Sequence, residues 1–121
     1  MGSLLRAKDF RSHGVKIHYT VEGSGQPVIL IHGLASSAAI NWRMPGIVAR
    51  LAKDYQVVAL DCRGHGRSDK PKQDQAYGRA MVQDVAALMD HLRLKNAHIV
   101  GYSMGGMIRS LVLIRGRNPH L

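Results

Sequence analysis

Hydrophobic residues are spaced as in β-strands at four places along the chain. Residues 15–22 alternate with a period of two, which predicts a half-buried strand with one apolar face, formed by Val15, Ile17, Tyr19 and Val21. The runs at 28–31 and 56–61 are almost wholly apolar, as is typical of interior parallel strands, and a shorter run follows at 98–100.

Segments with helical spacing alternate with these strands. The pattern predicts a short helix from Trp42 to Leu51 with Pro45 in its first turn, and an amphipathic helix from Arg79 to Leu92. A third helix is predicted from about Met104 to Ile114, ended by a glycine and then a proline. Strands that alternate with helices in this way predict an α/β fold, a mostly parallel sheet with flanking helices.

Length and composition indicate one globular domain over residues 1–121, with about 1–12 as an N-terminal extension. Apolar residues make up 45% of the chain, which is typical of a folded protein. We find no apolar run of membrane-spanning length and no secretory signal. The single cysteine, Cys62, cannot form an internal disulfide and fits a reducing compartment. The expected location is therefore cytoplasmic.

The formal net charge of +9 raises nucleic acid or an acidic membrane as a partner. The basic residues are scattered, however, and Phe10 and Trp42 are the only phenylalanine and tryptophan, so there is no aromatic platform for bases. We therefore expect neither nucleic acid nor membrane as a partner, and interpret the charge as a solvated surface.

A Gly-x-Ser-x-Gly motif separates the run at 98–100 from the last helix, in the segment Gly101-Tyr102-Ser103-Met104-Gly105-Gly106. Strand, tight turn and helix are the context of a nucleophile elbow. Such a turn strains the backbone of Ser103, so the residues two before and two after it must be small, as Gly101 and Gly105 are. Gly106 is expected to let the helix pack closely on the sheet. The motif predicts Ser103 as a nucleophile, and the structural alternative is a serine in a tight turn.

A loop of small residues, His32-Gly33-Leu34-Ala35, follows the strand at 28–31. Acyl transfer needs two N–H donors aimed at the developing oxyanion. We expect these to be the backbone N–H groups of Leu34 and Met104. His32 is expected to hold this loop by hydrogen bonds rather than to act as the catalytic base.

The segment Asp61-Cys62-Arg63-Gly64-His65-Gly66 lacks the third glycine and the helix of a dinucleotide-binding fingerprint. We interpret it as a structural turn that Asp61 and Arg63 hold in place. The other histidines have no metal-ligand spacing and are expected to be surface or structural residues: His13, His18, His65, His91, His98 and His120. No metal or organic cofactor is expected.

Together these three motifs resemble the α/β-hydrolase fold superfamily, in its order and at its spacing, from about residue 13 onward. The chain is similar to the broad esterase-like branch with a compact oxyanion loop. The resemblance implies Ser103 as nucleophile and Leu34 and Met104 as oxyanion donors, with the triad in the order Ser, then Asp or Glu, then His. Haloalkane dehalogenases and epoxide hydrolases resemble this chain elsewhere but place Asp at the elbow, so the serine argues against them.

The sequence stops where such enzymes continue with their next strand, and the acid and base are missing; His120 lies too close to the elbow helix to be assigned as the base. We therefore expect the N-terminal portion of a hydrolase that cleaves a small carboxylic ester, or a related acyl or C–C substrate, through an acyl-enzyme at Ser103. The alternative is a catalytically inactive, truncated binding or dimerising module. The strand at 98–100 is expected to be an open edge that invites self-association.

Overall fold

The computed structural model describes residues 5–117. Within this range, five strands form one sheet in the order β1-β2-β4-β3-β5. The strands are β1 (Arg6–Ser12), β2 (Val15–Glu22), β3 (Gln26–Ile31), β4 (Tyr55–Leu60) and β5 (His98–Gly101). The α-helices are α1 (Ile47–Leu51), α2 (Arg79–His91) and α3 (Met104–Arg117), with a π-helix at Ala39–Arg43 and a 3₁₀ turn at Asp74–Ala76.

The predicted α/β architecture is confirmed, and the sheet is mixed. Strands β4, β3 and β5 are parallel neighbours, whereas β2 pairs antiparallel with both β1 and β4. Because both faces of the sheet are covered, the centre of β2 is buried on each side, more deeply than the predicted half-buried strand. The carboxyl ends of β3, β4 and β5 meet at one edge, where ligand sites of open α/β sheets lie.

Strand β1 corrects the assignment of about residues 1–12 to an N-terminal extension. Residues 6–12 pair with β2 through a turn at His13 and Gly14, both in the left-handed region. Its hydrophobic pattern is weak because only Phe10 and Ser12 of this strand are buried. Phe10 lies opposite Ile17 and joins the core, so pairing with β2, rather than its own alternation, makes this segment a strand.

The single helix predicted from Trp42 to Leu51 is divided into two short helices. The π-helix ends at Arg43 and α1 begins at Ile47. Between them Pro45 has no N–H to donate, and Gly46 has a φ of 85°, so a continuous helix cannot form. Helix α3 in turn runs through Gly116 to Arg117, beyond its predicted end near Ile114.

Two clusters of buried side chains cover the opposite faces of the sheet. The larger lies under α2 and α3 and includes Ile17, Ile29, Val85 and Leu88. The smaller lies under the π-helix and α1 and includes Trp42. No helix in the described part of the chain is long and apolar enough to cross a membrane.

Candidate active site

Ser103 occupies the turn between β5 and α3, with a φ of 55°. Its side chain is exposed at the amino end of a 14-residue helix, where backbone N–H groups favour negative charge. The turn is tied to the neighbouring strand, because the Tyr102 N–H donates to the Ile31 carbonyl at 3.0 Å. Strain in the left-handed region and exposure of the hydroxyl are the features of a nucleophile elbow.

The glycines on either side of Ser103 are required by close backbone approaches. A Cβ on Gly101 would overlap the Gly105 carbonyl, and a Cβ on Gly105 would overlap the carbonyls of Ile31 and His32. Gly106 differs, because a Cβ there would meet nothing nearer than the Gly101 oxygen at 3.6 Å, an ordinary contact. The expectation that Gly106 is needed for close packing is therefore wrong.

The loop after β3 packs directly on the elbow. A Cβ on Gly33 would lie 3.0 Å from the Tyr102 ring and 3.4 Å from the Tyr102 carbonyl oxygen. The Gly33 N–H donates to the Asn41 side-chain oxygen at 2.8 Å, and the Ala35 N–H donates to Nε2 of His65 at 3.0 Å. The structure thus brings the segment that contains Leu34 against the segment that contains Ser103.

The backbone N–H groups of Leu34 and Met104 have no partner within residues 5–117, and neither does that of Ser103 itself. Gly105 and Gly106, which follow Met104, both donate to carbonyls of the elbow itself. An oxyanion hole requires two N–H donors that are free of other partners, and Leu34 and Met104 are the pair expected from the sequence.

His32 is fully buried and holds two backbone segments together. Its Nδ1 lies 2.7 Å from the Gly33 carbonyl, and its Nε2 accepts the Cys62 N–H at 2.9 Å. Burial lowers the pKa of His32, more than the Gly33 carbonyl and Asp61 raise it. The imidazole is therefore neutral, and both ring nitrogens are occupied, as predicted for a residue that fixes the loop.

Asp61, at the end of β4, organises the turn that follows. Its carboxylate accepts the Ala38 N–H at 2.9 Å and the Arg67 N–H at 3.0 Å. A Cβ on Gly66 would overlap that carboxylate. The carboxylate thus fills the space beside Gly66 and holds the turn through two backbone N–H groups, which agrees with the structural interpretation of this segment.

Arg63 connects the same turn to α2 through a buried ion pair. Its guanidinium donates twice to the Asp84 carboxylate, both at 2.7 Å, and once to the Ala76 carbonyl at 2.8 Å. The hydrogen bonds that Arg63 donates to Asp84 raise the pKa of Arg63 against the effect of burial. The guanidinium therefore stays protonated, and through the Ala76 carbonyl it anchors the segment over residues 74–77.

Three residues that support this site were not identified from the sequence: Asn41, His65 and Asp84. Asn41 lies between the predicted loop and the helix predicted to begin at Trp42, and His65 was grouped with surface or structural histidines. The burial of Asp84 could have been predicted from its position, because it lies one helical turn from both Met81 and Leu88 on the buried face of α2. No comparable signal marks Asn41 or His65.

Other reactive side chains offer no competing centre. Cys62 is 2% exposed, and burial raises the pKa of its thiol to about 12, so it is not a nucleophile at neutral pH. Among the described residues no group of three or more histidine, cysteine or carboxylate side chains could hold a metal ion. His120 lies outside the described residues.

Comparison with known proteins agrees with this geometry. A sequence model of the alpha/beta hydrolase fold family matches residues 26–120. The soluble epoxide hydrolase of Corynebacterium sp. is 35% identical over 96 residues, which are 79% of this chain and 32% of that protein. The 2-hydroxymuconate semialdehyde hydrolase of Pseudomonas sp. is 33% identical over 104 residues, 84% of this chain and 36% of that protein.

Solved structures give the same result. The 2-hydroxy-6-oxo-6-phenylhexa-2,4-dienoate hydrolase of Rhodococcus sp. superposes with a TM-score of 0.83 at 32% identity, over 95% of this chain and 43% of that one. Epoxide hydrolase VrEH1 of Vigna radiata superposes with a TM-score of 0.82 at 26% identity, over 91% of this chain and 34% of that one. The chain belongs to the alpha/beta hydrolase fold family. It spans about a third of the length of the curated relatives it matches.

Proposed function

We propose that this chain supplies the nucleophile and the oxyanion hole of a serine hydrolase that cleaves a small carboxylic ester, or a related acyl or C–C substrate. One observation carries the proposal: Ser103 stands exposed on a strained turn, and the N–H of Met104, which follows it, and that of Leu34, in the loop packed on the turn, are both free within residues 5–117. A carbonyl carbon beside the Ser103 hydroxyl can place its oxygen between these two donors.

The reaction proceeds in two halves. The Ser103 oxygen attacks the carbonyl carbon while its proton passes to a general base, and the oxyanion forms in the hole. The leaving group then departs with a proton, which leaves an acyl-enzyme at Ser103 that water hydrolyses. In the family's order both the acid and the base follow the nucleophile in the chain. His32 and His65 cannot serve as the base here, because backbone groups occupy their ring nitrogens.

The relatives named as epoxide hydrolases suggest a different reaction for this chain, the opening of an epoxide. The resemblance places an aspartate at their elbow, and a carboxylate opens an epoxide through an alkyl ester that water can hydrolyse. A serine would form an ether with an opened epoxide, and ethers resist hydrolysis. Ser103 therefore favours acyl substrates, in agreement with the relatives named as hydrolases of 2-hydroxymuconate semialdehyde and of a phenylhexadienoate.

A second candidate is a catalytically inactive binding or dimerising module. The exposed apolar side chains of Val100, Met107 and Leu111, on β5 and α3, support it. Such a module keeps the fold but has no turnover that depends on Ser103.

The test uses the protein at its natural length, established by the intact mass of purified material. Hydrolysis of p-nitrophenyl acetate is measured with the unmodified protein, with Ser103→Ala and with Ser110→Ala, a control that removes an exposed hydroxyl of α3. We expect Ser103→Ala to lower kcat at least about 10³-fold and to abolish labelling by a fluorophosphonate, with Ser110→Ala unchanged. Two results would support the inactive module instead. In the first, the unmodified protein shows neither turnover nor labelling, and in the second, Ser103→Ala leaves both unchanged.

A further inference from the structure

His65 lies in the turn after β4, and its imidazole connects that turn to the oxyanion loop. Its Nδ1 is 3.0 Å from the Arg63 carbonyl oxygen, and its Nε2 accepts the Ala35 N–H at 3.0 Å. A carbonyl only accepts a hydrogen bond and an amide N–H only donates one. The geometry therefore fixes a neutral imidazole with its proton on Nδ1.

The residue that His65 holds is strained. Ala35 has a φ of 58°, a conformation that alanine rarely adopts and that persists only where its surroundings enforce it. On the other side of Leu34, the Gly33 N–H is held by Asn41. The free Leu34 N–H thus lies between two backbone groups that are each anchored by a side chain, so its direction depends on both anchors.

We propose that His65 is a positioning residue for the oxyanion hole: by accepting the Ala35 N–H it aims the Leu34 N–H at the oxygen of the tetrahedral intermediate. The inference rests on the proposed function, because Leu34 has an oxyanion to bind only if Ser103 performs acyl transfer. The hydrogen bonds of the His65 ring are to Ala35 and Arg63, and none is to Ser103. His65 acts through Ala35.

A positioning role and a merely structural role predict different kinetics. Loss of a donor that is strong only towards the oxyanion lowers kcat and leaves KM almost unchanged, because the ground-state carbonyl binds it weakly. A residue that serves only stability changes the amount of folded protein and leaves the kcat of the folded fraction unaltered.

Two substitutions separate the acceptor from the rest of the ring. His65→Gln can place an amide oxygen near the position of Nε2, whereas His65→Leu keeps bulk and removes the acceptor. In the protein at its natural length, we expect His65→Leu to speed hydrogen exchange of the Ala35 amide about tenfold. The Ala38 amide, held by Asp61, serves as the internal control. For p-nitrophenyl acetate we expect kcat to fall about 10- to 100-fold at constant KM, and His65→Gln to restore both measurements.

Each contrary result is informative. Unchanged Ala35 exchange in His65→Leu, or faster exchange with unchanged kcat, overturns the inference. If His65→Leu does not fold, ¹⁵N NMR of the unmodified imidazole decides instead, because a proton on Nε2 rules out the Ala35 bond. Turnover that survives Ser103→Ala overturns the proposed function, and with it the catalytic role of His65. In that case Ala35 exchange still reports separately whether His65 anchors the loop.

Discussion

At the scale of single residues, the site depends on backbone conformations that side chains have to hold. Ser103 and Ala35 both lie in the left-handed region, which costs on the order of 1–2 kcal/mol for each residue. Ser103 is held by the Tyr102 N–H bond to Ile31, and Ala35 by His65. These costs offset part of the stability of the fold. In return, the Ser103 hydroxyl is exposed, and the Leu34 N–H is left free within residues 5–117.

The sequence predicted the strained serine and His32 as a residue that holds the oxyanion loop, but not Asn41 or His65. A Gly-x-Ser-x-Gly motif is local, and each of its glycines is explained by an approach within the motif or to β3. The bond from His65 to Ala35 spans 30 positions, and an imidazole in a turn has no periodicity that reveals its partner. Local chemistry can be read from sequence, whereas contacts between loops require the fold.

His32 makes the stability of the protein sensitive to acid. Because burial lowers the pKa of His32 below its usual 6.5, the unfolded chain binds a proton more readily than the folded protein. The free energy of unfolding should therefore be at its full value above pH 6.5 and fall as the pH drops towards the lowered folded pKa. Protonation would also remove the acceptor that holds the Cys62 N–H.

Urea unfolding between pH 8 and pH 5 measures this dependence. The quantity to compare is the change in unfolding free energy with pH in the unmodified protein and in His32→Gln, which cannot titrate at this position. We expect a smaller decrease in the variant. Equal decreases in both proteins would show that His32 does not contribute.

At the scale of elements, the buried ion pair of Arg63 with Asp84 joins α2 to the turn beside the site. Asp84 is 1% exposed and Arg63 4%, so removal of the carboxylate leaves a buried cation without its partner. We expect Asp84→Ala to lower the free energy of unfolding by about 3–5 kcal/mol. Asp90→Ala, at an exposed position near the end of the same helix, should change it by less than about 0.5 kcal/mol.

Thermal or urea unfolding of the two variants makes the comparison. If Asp84→Ala lowers the free energy of unfolding no more than Asp90→Ala does, the fold tolerates an unpaired Arg63, for example by admitting water. Amide exchange over residues 74–77 adds a local readout, because Arg63 also holds the Ala76 carbonyl.

Element positions were predictable wherever burial sets the periodicity. Helix α2 was predicted within one residue of its observed end. The helix over 42–51 was not, because Pro45 and Gly46 interrupt it in a way that the apolar spacing does not show. Strand β1 was not predicted, because it forms through pairing with β2 and its own hydrophobic pattern is weak.

At the scale of the whole molecule, the two faces of the sheet are covered unequally, and one side of β5 is unpaired. Within the described residues β5 pairs only with β3, and Val100 on it is 41% exposed. The neighbouring helix exposes Met107 and Leu111. Arg109 covers a single carbonyl of β5, that of Ile99. An apolar, parallel edge of this kind is a surface on which another strand can pair.

We therefore expect residues 1–121, as an isolated chain, to self-associate through β5. Sedimentation velocity over a range of concentrations should show a weight-average mass that rises above the 13.3 kDa of one chain. Val100→Lys should shift the chain towards monomer, because a second strand would have to bury the ammonium group. Ala7→Lys places the same charge on the opposite edge, where β1 already carries Arg6 and Lys8, and should leave association unchanged. A monomer at every concentration, or equal effects of the two lysines, would exclude β5 as the pairing surface.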